Sequence, residues 1–291
     1  MNREVMKQLI LESLSRKLGD TFRPSIHRVL KTNQTLDGLT ILREGESAAA
    51  TIYLDGYYKA LEDPTALDAV TDTILHHYFH AAPLPKGFDA ASVSDFAWAK
   101  DRFQVRLINR RLNTELLKDV PHLPFLDDFA AVVYCLVGES EEGNAGFLVH
   151  DSHMKMWNSN RESLLSLALG CTRRRDGADI RPISEVMKEP APCMDAESIQ
   201  EFMWVLTNRQ KLFGASAALS GDVLEDFAEK HGNFCAVFSS VHEVLLIPSP
   251  DESRIGSITE VNLDVNATKV DPGEVLGTKA YFYRRGSGFV F

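Results

Sequence analysis

The chain has 291 residues, 44% of them hydrophobic and 25% charged, which excludes long disorder and allows a proper core without disulfide or metal staples. Its 41 acidic and 31 basic residues give a formal net charge of -10, which opposes non-specific attraction to nucleic-acid phosphates and to anionic membrane surfaces. No apolar run approaches the roughly 18 residues of a membrane helix, and the charged, amphipathic amino terminus is unlike a secretory leader, so a cytoplasmic protein is expected.

In chain order, Val5, Met6, Leu9, Ile10, Leu14 and Leu18 recur at helical spacing, and Gly19 follows as a stop. Strand-like pieces come next at 25–31 (SIHRVLK), 38–44 (GLTILRE) and 50–54 (ATIYL), with turn-formers at 32–38 and before the third. Asp63-Pro64-Thr65 opens a helix from about Ala66 to His80. The stretch AAPLPKGFDAAS (81–92) is rich in helix breakers and lacks periodicity. It divides the chain into a smaller N-terminal α+β subdomain at 1–82, a linker or long loop at 83–95, and a larger α+β domain at 96–291.

The second part repeats one theme. FAAVVYCLV (129–137) and AGFLVH (145–150) read as a hairpin, followed by helical segments at 152–158 and 161–169. FMWVLTN (202–208) and LFGASAAL (212–219) suggest a second pair, although the small residues of the latter suit a packed helix equally well. A helix at 221–232 follows, then a third pair, NFCAVFSS (233–240) and HEVLLIP (242–248), and a helix from about Ser253 to Ala267. KAYFYRRGSGFVF (279–291) closes the chain as a hairpin. The charged, proline-rich segment at 173–195 is expected as a surface excursion, with Arg173-Arg174-Arg175 a solvated helix end. Strand pairs alternating with helices imply an α+β fold with a mostly antiparallel or mixed sheet.

Cys135, Cys171, Cys193 and Cys235 lie far apart with no paired spacing, so neither a disulfide framework nor a zinc site is suggested. Asp72, His76 and His80 line up at i, i+4 spacing on one helix face, a row able to offer two metal ligands and a supporting carboxylate. A stable site needs further ligands, none is visible nearby, and a solvated face explains the row as well. In GFLVHDSHMKMW (146–157), His150 ends an apolar strand where acid–base chemistry is well placed, while Asp151 or Ser152 suits the cap of the following helix. Ser239, Ser240, His242 and Glu243 break two apolar runs. A triad is assembled in space rather than within one segment, so a turn explains them better. No phosphate-binding loop, dinucleotide fingerprint, kinase set or nucleophile elbow is present, and no cofactor is expected.

The ordered segments TIYLDGYY, DRFQVRLINRRLNTELLKDVPHLPFLD, GNAGFLVHDSHMKMW, FMWVLTNRQKLFGASAAL and SSVHEVLLIP resemble the bacterial family known as domain of unknown function 5688. The resemblance spans nearly the whole chain. It implies a bacterial protein associated with conjugative or other mobile elements, and it brings no activity and no catalytic residues. The expected function is therefore non-catalytic: a binding, interaction or mobile-element accessory protein with a protein partner. The alternative is a hydrolase-type enzyme whose site lies at strand ends, near His150, Asn208 and His242, with Glu243 beside them. It requires the turns carrying these residues to meet at one edge of the sheet.

Overall fold

A computed structural model describes residues 2–46, 49–80, 90–140, 143–188 and 202–290. The chain divides into two compact units, Met1–Ser94 with Val137–Ala145, and Asp95–Leu136 with Gly146–Phe291. Most of the expected linker, at 83–89, lies outside the described residues, and Ala90–Ser94 after it is a 3-10 turn.

In the first unit, α1 (Arg3–Leu18) begins at Asn2, whose side chain accepts the Glu4 N–H at 3.2 Å, and ends at Gly19 with φ 67°. β1 (Phe22–Lys31), β2 (Gln34–Arg43) and β3 (Thr51–Tyr53) form an antiparallel sheet in that order. Pairing runs unbroken from Phe22↔Arg43 to Lys31↔Gln34, so most of the expected turn at 32–38 is strand. Thr32–Asn33 alone makes the turn, Asn33 adopting φ 63°. Asp63 accepts the Thr65 N–H at 2.9 Å and leads through Pro64–Ala66 into α2 (Leu67–His80). Met6, Ile10, Leu14, Leu39, Ile41 and Ile74 are buried together as this unit's core.

The second unit opens with α3 (Phe96–Ala99) and a sheet of β4 (Phe103–Asn109), β5 (His122–Phe125), β6 (Phe129–Ser140) and β7 (Gly143–Leu148), in which β4, β5 and β7 all pair with β6; the end of β6 and the start of β7, within 137–145, are counted with the first unit. α4 (Asp151–Met156) and α5 (Arg161–Arg175) follow, then β8 (Asp179–Pro182), α6 (Ile183–Lys188), β9 (Trp204–Thr207) and α7 (Gly221–His231). β10 (Phe234–Val237), β11 (Val244–Pro248), α8 (Ile255–Thr268), β12 (Ala280–Arg284) and β13 (Gly288–Val290) complete it. The six-stranded sheet runs β13-β12-β10-β11-β9-β8 with antiparallel pairings. The fold is α+β.

Several expectations are corrected. LFGASAAL is no strand: Gly214–Leu219 is a 3-10 helix with Gly214 to Ala218 buried, and β9 pairs with β11 and β8 instead. A β-carbon at Gly214 would overlap Thr207 Oγ1 and stand 2.6 Å from Asn208 N and His242 O, so this segment crosses β9 and the His242 turn at a distance only glycine permits. The stretch expected as a surface excursion contributes an edge strand, β8, in register from Asp179↔Thr207 to Pro182↔Trp204, while 189–195 lies outside the described residues. The Arg173–Arg175 run is the last turn of α5, with Arg173 and Arg174 exposed as expected; Arg173 Nε also donates to Ser220 Oγ at 3.0 Å and the half-buried Arg175 donates from Nε to Asp176 Oδ1 at 2.8 Å. Cys135, Cys171 and Cys235 are buried free thiols, and burial pushes the Cys135 pKa up to about 12. No helix among the described residues is long and apolar enough to cross a membrane.

Candidate functional site

The loop from Asn208 to Gly214, which follows β9, is where polar residues singled out from the sequence converge. Asn208 is 2% exposed and closes the loop on itself. Its Nδ2 donates to Leu212 O at 2.8 Å and its Oδ1 accepts the Leu212 N–H at 3.2 Å. The next amide, Phe213 N–H, donates to His242 Nδ1 at 3.2 Å, and Thr207 Oγ1 donates to His242 O at 2.8 Å. The other ring nitrogen of His242, Nε2, lies 3.2 Å from Glu274 Oε1. Glu243 accepts from Ser240 Oγ at 3.1 Å, and that hydroxyl accepts the His242 N–H at 3.1 Å. Asn208 and His242 thus grip one loop from two sides, and Glu243 secures the turn that carries His242.

The grip holds an unfavourable backbone. Lys211 and Phe213 both take φ 55°, the left-handed region that costs a side-chain-bearing residue about 1–2 kcal/mol. Phe213 lies 3.5 Å from the Arg106 guanidinium across its ring face, and Tyr134 flanks the same group at 3.9 Å. Arg106, on β4, is 7% exposed, and its Nε donates to Gln104 Oε1 at 2.9 Å. Gln104 Nε2 passes the connection to Asp176 Oδ2 at 3.1 Å, and Asp176 is clasped by Arg175 from Nε and Nη2 at 2.8 and 3.2 Å. Desolvation pulls the Arg106 pKa down to about 10, which leaves it a cation at neutral pH. A cleft of about 180 Å³ lies beside this network, lined by Asp176, Asn208, Arg173, Ser216 and Ser220 among others.

His150 belongs to a different set of contacts. It is itself the N-cap residue of α4, so Asp151 and Ser152 fall inside the first turn instead of capping it. The chain turns there because Asp119 receives it: Asp119 O accepts the Asp151 N–H at 3.0 Å, and Asp119 Oδ2 pairs with His150 Nδ1 at 3.0 Å. His153 Nδ1 accepts the His150 N–H at 2.9 Å. Burial, then the neighbouring His150, lowers the His153 pKa and favours this neutral acceptor form. No hydrogen bond or ring contact joins His150 to Asn208 or His242.

The Asp72–His76–His80 row lies on α2 as expected, with its groups otherwise engaged. Asp72 pairs with Lys17 at 2.7 Å, His80 Nδ1 bonds His76 O at 2.8 Å, and the two imidazoles stack at 4.1 Å. Among the described residues no group of three or more His, Cys, Asp or Glu side chains is placed to hold a metal ion.

Arg106, Phe213, Gln104, Tyr134 and Asp176 are absent from the sequence-based candidates. The signal for Arg106 was the alternation in FQVRLIN (103–109). Phe103, Val105 and Leu107 make one buried face, while the other mixes Gln104 and Arg106 with the buried Ile108. A face holding a buried isoleucine is not a solvent face. No curated protein and no solved structure gives a significant match to the chain. A family model described as "Family of unknown function (DUF5688)" matches residues 3–285, and the chain belongs to that family.

Proposed function

We propose that the chain is a non-catalytic binding protein of the bacterial cytoplasm, acting on a protein partner as an accessory of a mobile element. One observation carries the non-catalytic part. The imidazole of His242, the residue best placed for acid–base work at the gripped loop, has both nitrogens committed. Nδ1 uses its lone pair on the Phe213 N–H, and Nε2 faces a carboxylate that can only accept, so it carries the ring proton. Asn208 uses its amide on Leu212 in the same way. These groups shape a loop and leave no free base beside a nucleophile.

The test is affinity capture of the full chain from a native host, with the captured protein identified and its binding repeated with purified components. Binding that weakens when Asn208→Ala loosens the loop supports the proposal. A substrate turnover that disappears in His242→Gln or Glu243→Gln overturns it.

A second reading, a hydrolase-type enzyme, draws on the Asp119–His150 pair, in which the carboxylate fixes the proton on Nδ1 and leaves Nε2 as an acceptor. It requires a turnover that His150→Gln removes and Asp119→Asn reduces, and a hydrolase panel on those variants decides it.

A further inference from the structure

The cleft of about 180 Å³ lies where the end of α5, the 3-10 helix at Gly214–Leu219 and the start of α7 meet. A dry cavity of about 150 Å³ holds one benzene, so this cleft takes about six to nine heavy atoms, too few for a nucleotide. Several of its polar side chains are already bonded within the protein. Thr172 Oγ1 donates to Ala168 O and accepts the Val105 N–H, both at 2.8 Å, and Ser216 Oγ donates to Phe213 O at 3.0 Å. Asp176 and Asn208 hold the partners described above. Half-buried Leu169, Leu219 and Val223 supply an apolar wall.

Arg173 and Asp222 are in a different state. Arg173 Nε donates to the buried Ser220 Oγ at 3.0 Å, which leaves the two terminal nitrogens of the guanidinium and the Ser220 proton to donate. Arg173 Nη2 stands 3.8 Å from Asp222 Oδ1, opposite charges side by side yet too far apart for a hydrogen bond. A lone anion in this cleft meets the carboxylates of Asp176 and Asp222, and a lone cation meets Arg173.

We propose that the cleft binds a small zwitterion, a free α-amino acid with a short apolar side chain. Its carboxylate takes the Arg173 terminal nitrogens and the Ser220 hydroxyl, its ammonium takes Asp222, and its side chain lies along Leu169, Leu219 and Val223. The lengths agree: the nitrogen and nearer carboxylate oxygen of an α-amino acid are roughly 3 Å apart, and charge-assisted bonds of about 2.8 Å join them to a pair 3.8 Å apart. The ligand thus closes a ring of alternating charges that Arg173 and Asp222 leave open. This site goes beyond the partner proposal and stands without it.

The test is titration calorimetry of the full chain with L-alanine, L-valine and L-leucine at fixed ionic strength. Saturable binding of at least one is expected. 3-Methylbutanoate and 2-methylpropylamine, which keep the valine side chain with one charge each, should bind at least about tenfold more weakly than valine. Asp222→Asn and Arg173→Gln, both at exposed positions, should each lower the affinity about tenfold, while Arg174→Gln, exposed and outside the cleft, should leave it unchanged. Absence of saturable binding by all three amino acids to the natural chain overturns the proposal, whether or not the variants fold. Either single-charge analogue binding as tightly as valine overturns it, as does undiminished binding in Asp222→Asn and Arg173→Gln.

Discussion

The substitution Gly214→Ala is a direct probe of the gripped loop. A single methyl there would meet Thr207 Oγ1, Asn208 N and His242 O together, two of them backbone atoms that cannot step aside. Overpacking of this kind costs about 1–3 kcal/mol. Relief by moving Thr207 breaks its 2.8 Å hydrogen bond to His242 O, a further loss of about 1 kcal/mol. The expected destabilisation is therefore about 3 kcal/mol, or roughly 6–12 °C in Tm for a unit of this size. Gly221→Ala is the internal control, since nothing lies within 4 Å of the position and alanine is the better residue in α7. It should be neutral or gain up to about 0.5 kcal/mol. Urea unfolding followed by tryptophan fluorescence measures both, because Trp204 stands on β9 beside the loop. A Gly214→Ala protein within about 0.5 kcal/mol of the natural chain would refute the close crossing and, with it, the account of how Asn208 and His242 hold the loop.

Asn208→Ala removes both side-chain bonds to Leu212 inside the protein and should cost about 2 kcal/mol in the same assay; a loss below about 0.5 kcal/mol contradicts the grip. Tyr281→Phe takes the phenol from the buried Asp128, whose pKa is held low by Lys279 and Tyr281 against the upward pull of burial, and should cost about 1–3 kcal/mol. The His153 pKa is lowered in the folded chain, so its contribution is present above the unfolded value of 6.5 and is lost as pH falls from there through the folded pKa. Urea midpoints measured from about pH 8 to pH 5 should decline more steeply for the natural chain than for His153→Gln, and equal slopes would remove His153 as the cause.

Much of the fold was legible because apolar periodicity is strong wherever an element has one wet face or none. α1, α2, α7, the β6–β7 and β10–β11 hairpins and the closing pair all follow from runs such as FAAVVYCLV and HEVLLIP. The misses have local physical causes. β5 (HLPF) and β8 (DIRP) each contain proline within four residues, which reads as a breaker, and both pair with longer strands that supply the order they lack. LFGASAAL carries residues compatible with a strand. Its conformation was settled by the single position where Gly214 passes Thr207 and His242, a tertiary constraint that no window of sequence contains.

The candidate site was legible by the same measure, in part. Asn208, His242 and Glu243 stand out because a polar residue after an apolar strand needs a reason, and the reason here is the loop they hold. Arg106 does not stand out, since one arginine in an alternating strand reads as solvent-facing. What distinguishes it is that Phe213, more than a hundred positions later in the chain, lies over its face. Packing alone does not need that charge. An unbranched apolar side chain such as methionine would fill the slot between Tyr134 and Phe213 without the desolvation cost, and replacing buried ionic groups in this way is often neutral or stabilising by about 1–4 kcal/mol. What the guanidinium adds is the Nε bond to Gln104 and, through Gln104 Nε2, the link to the buried Asp176, which a methionine could not make.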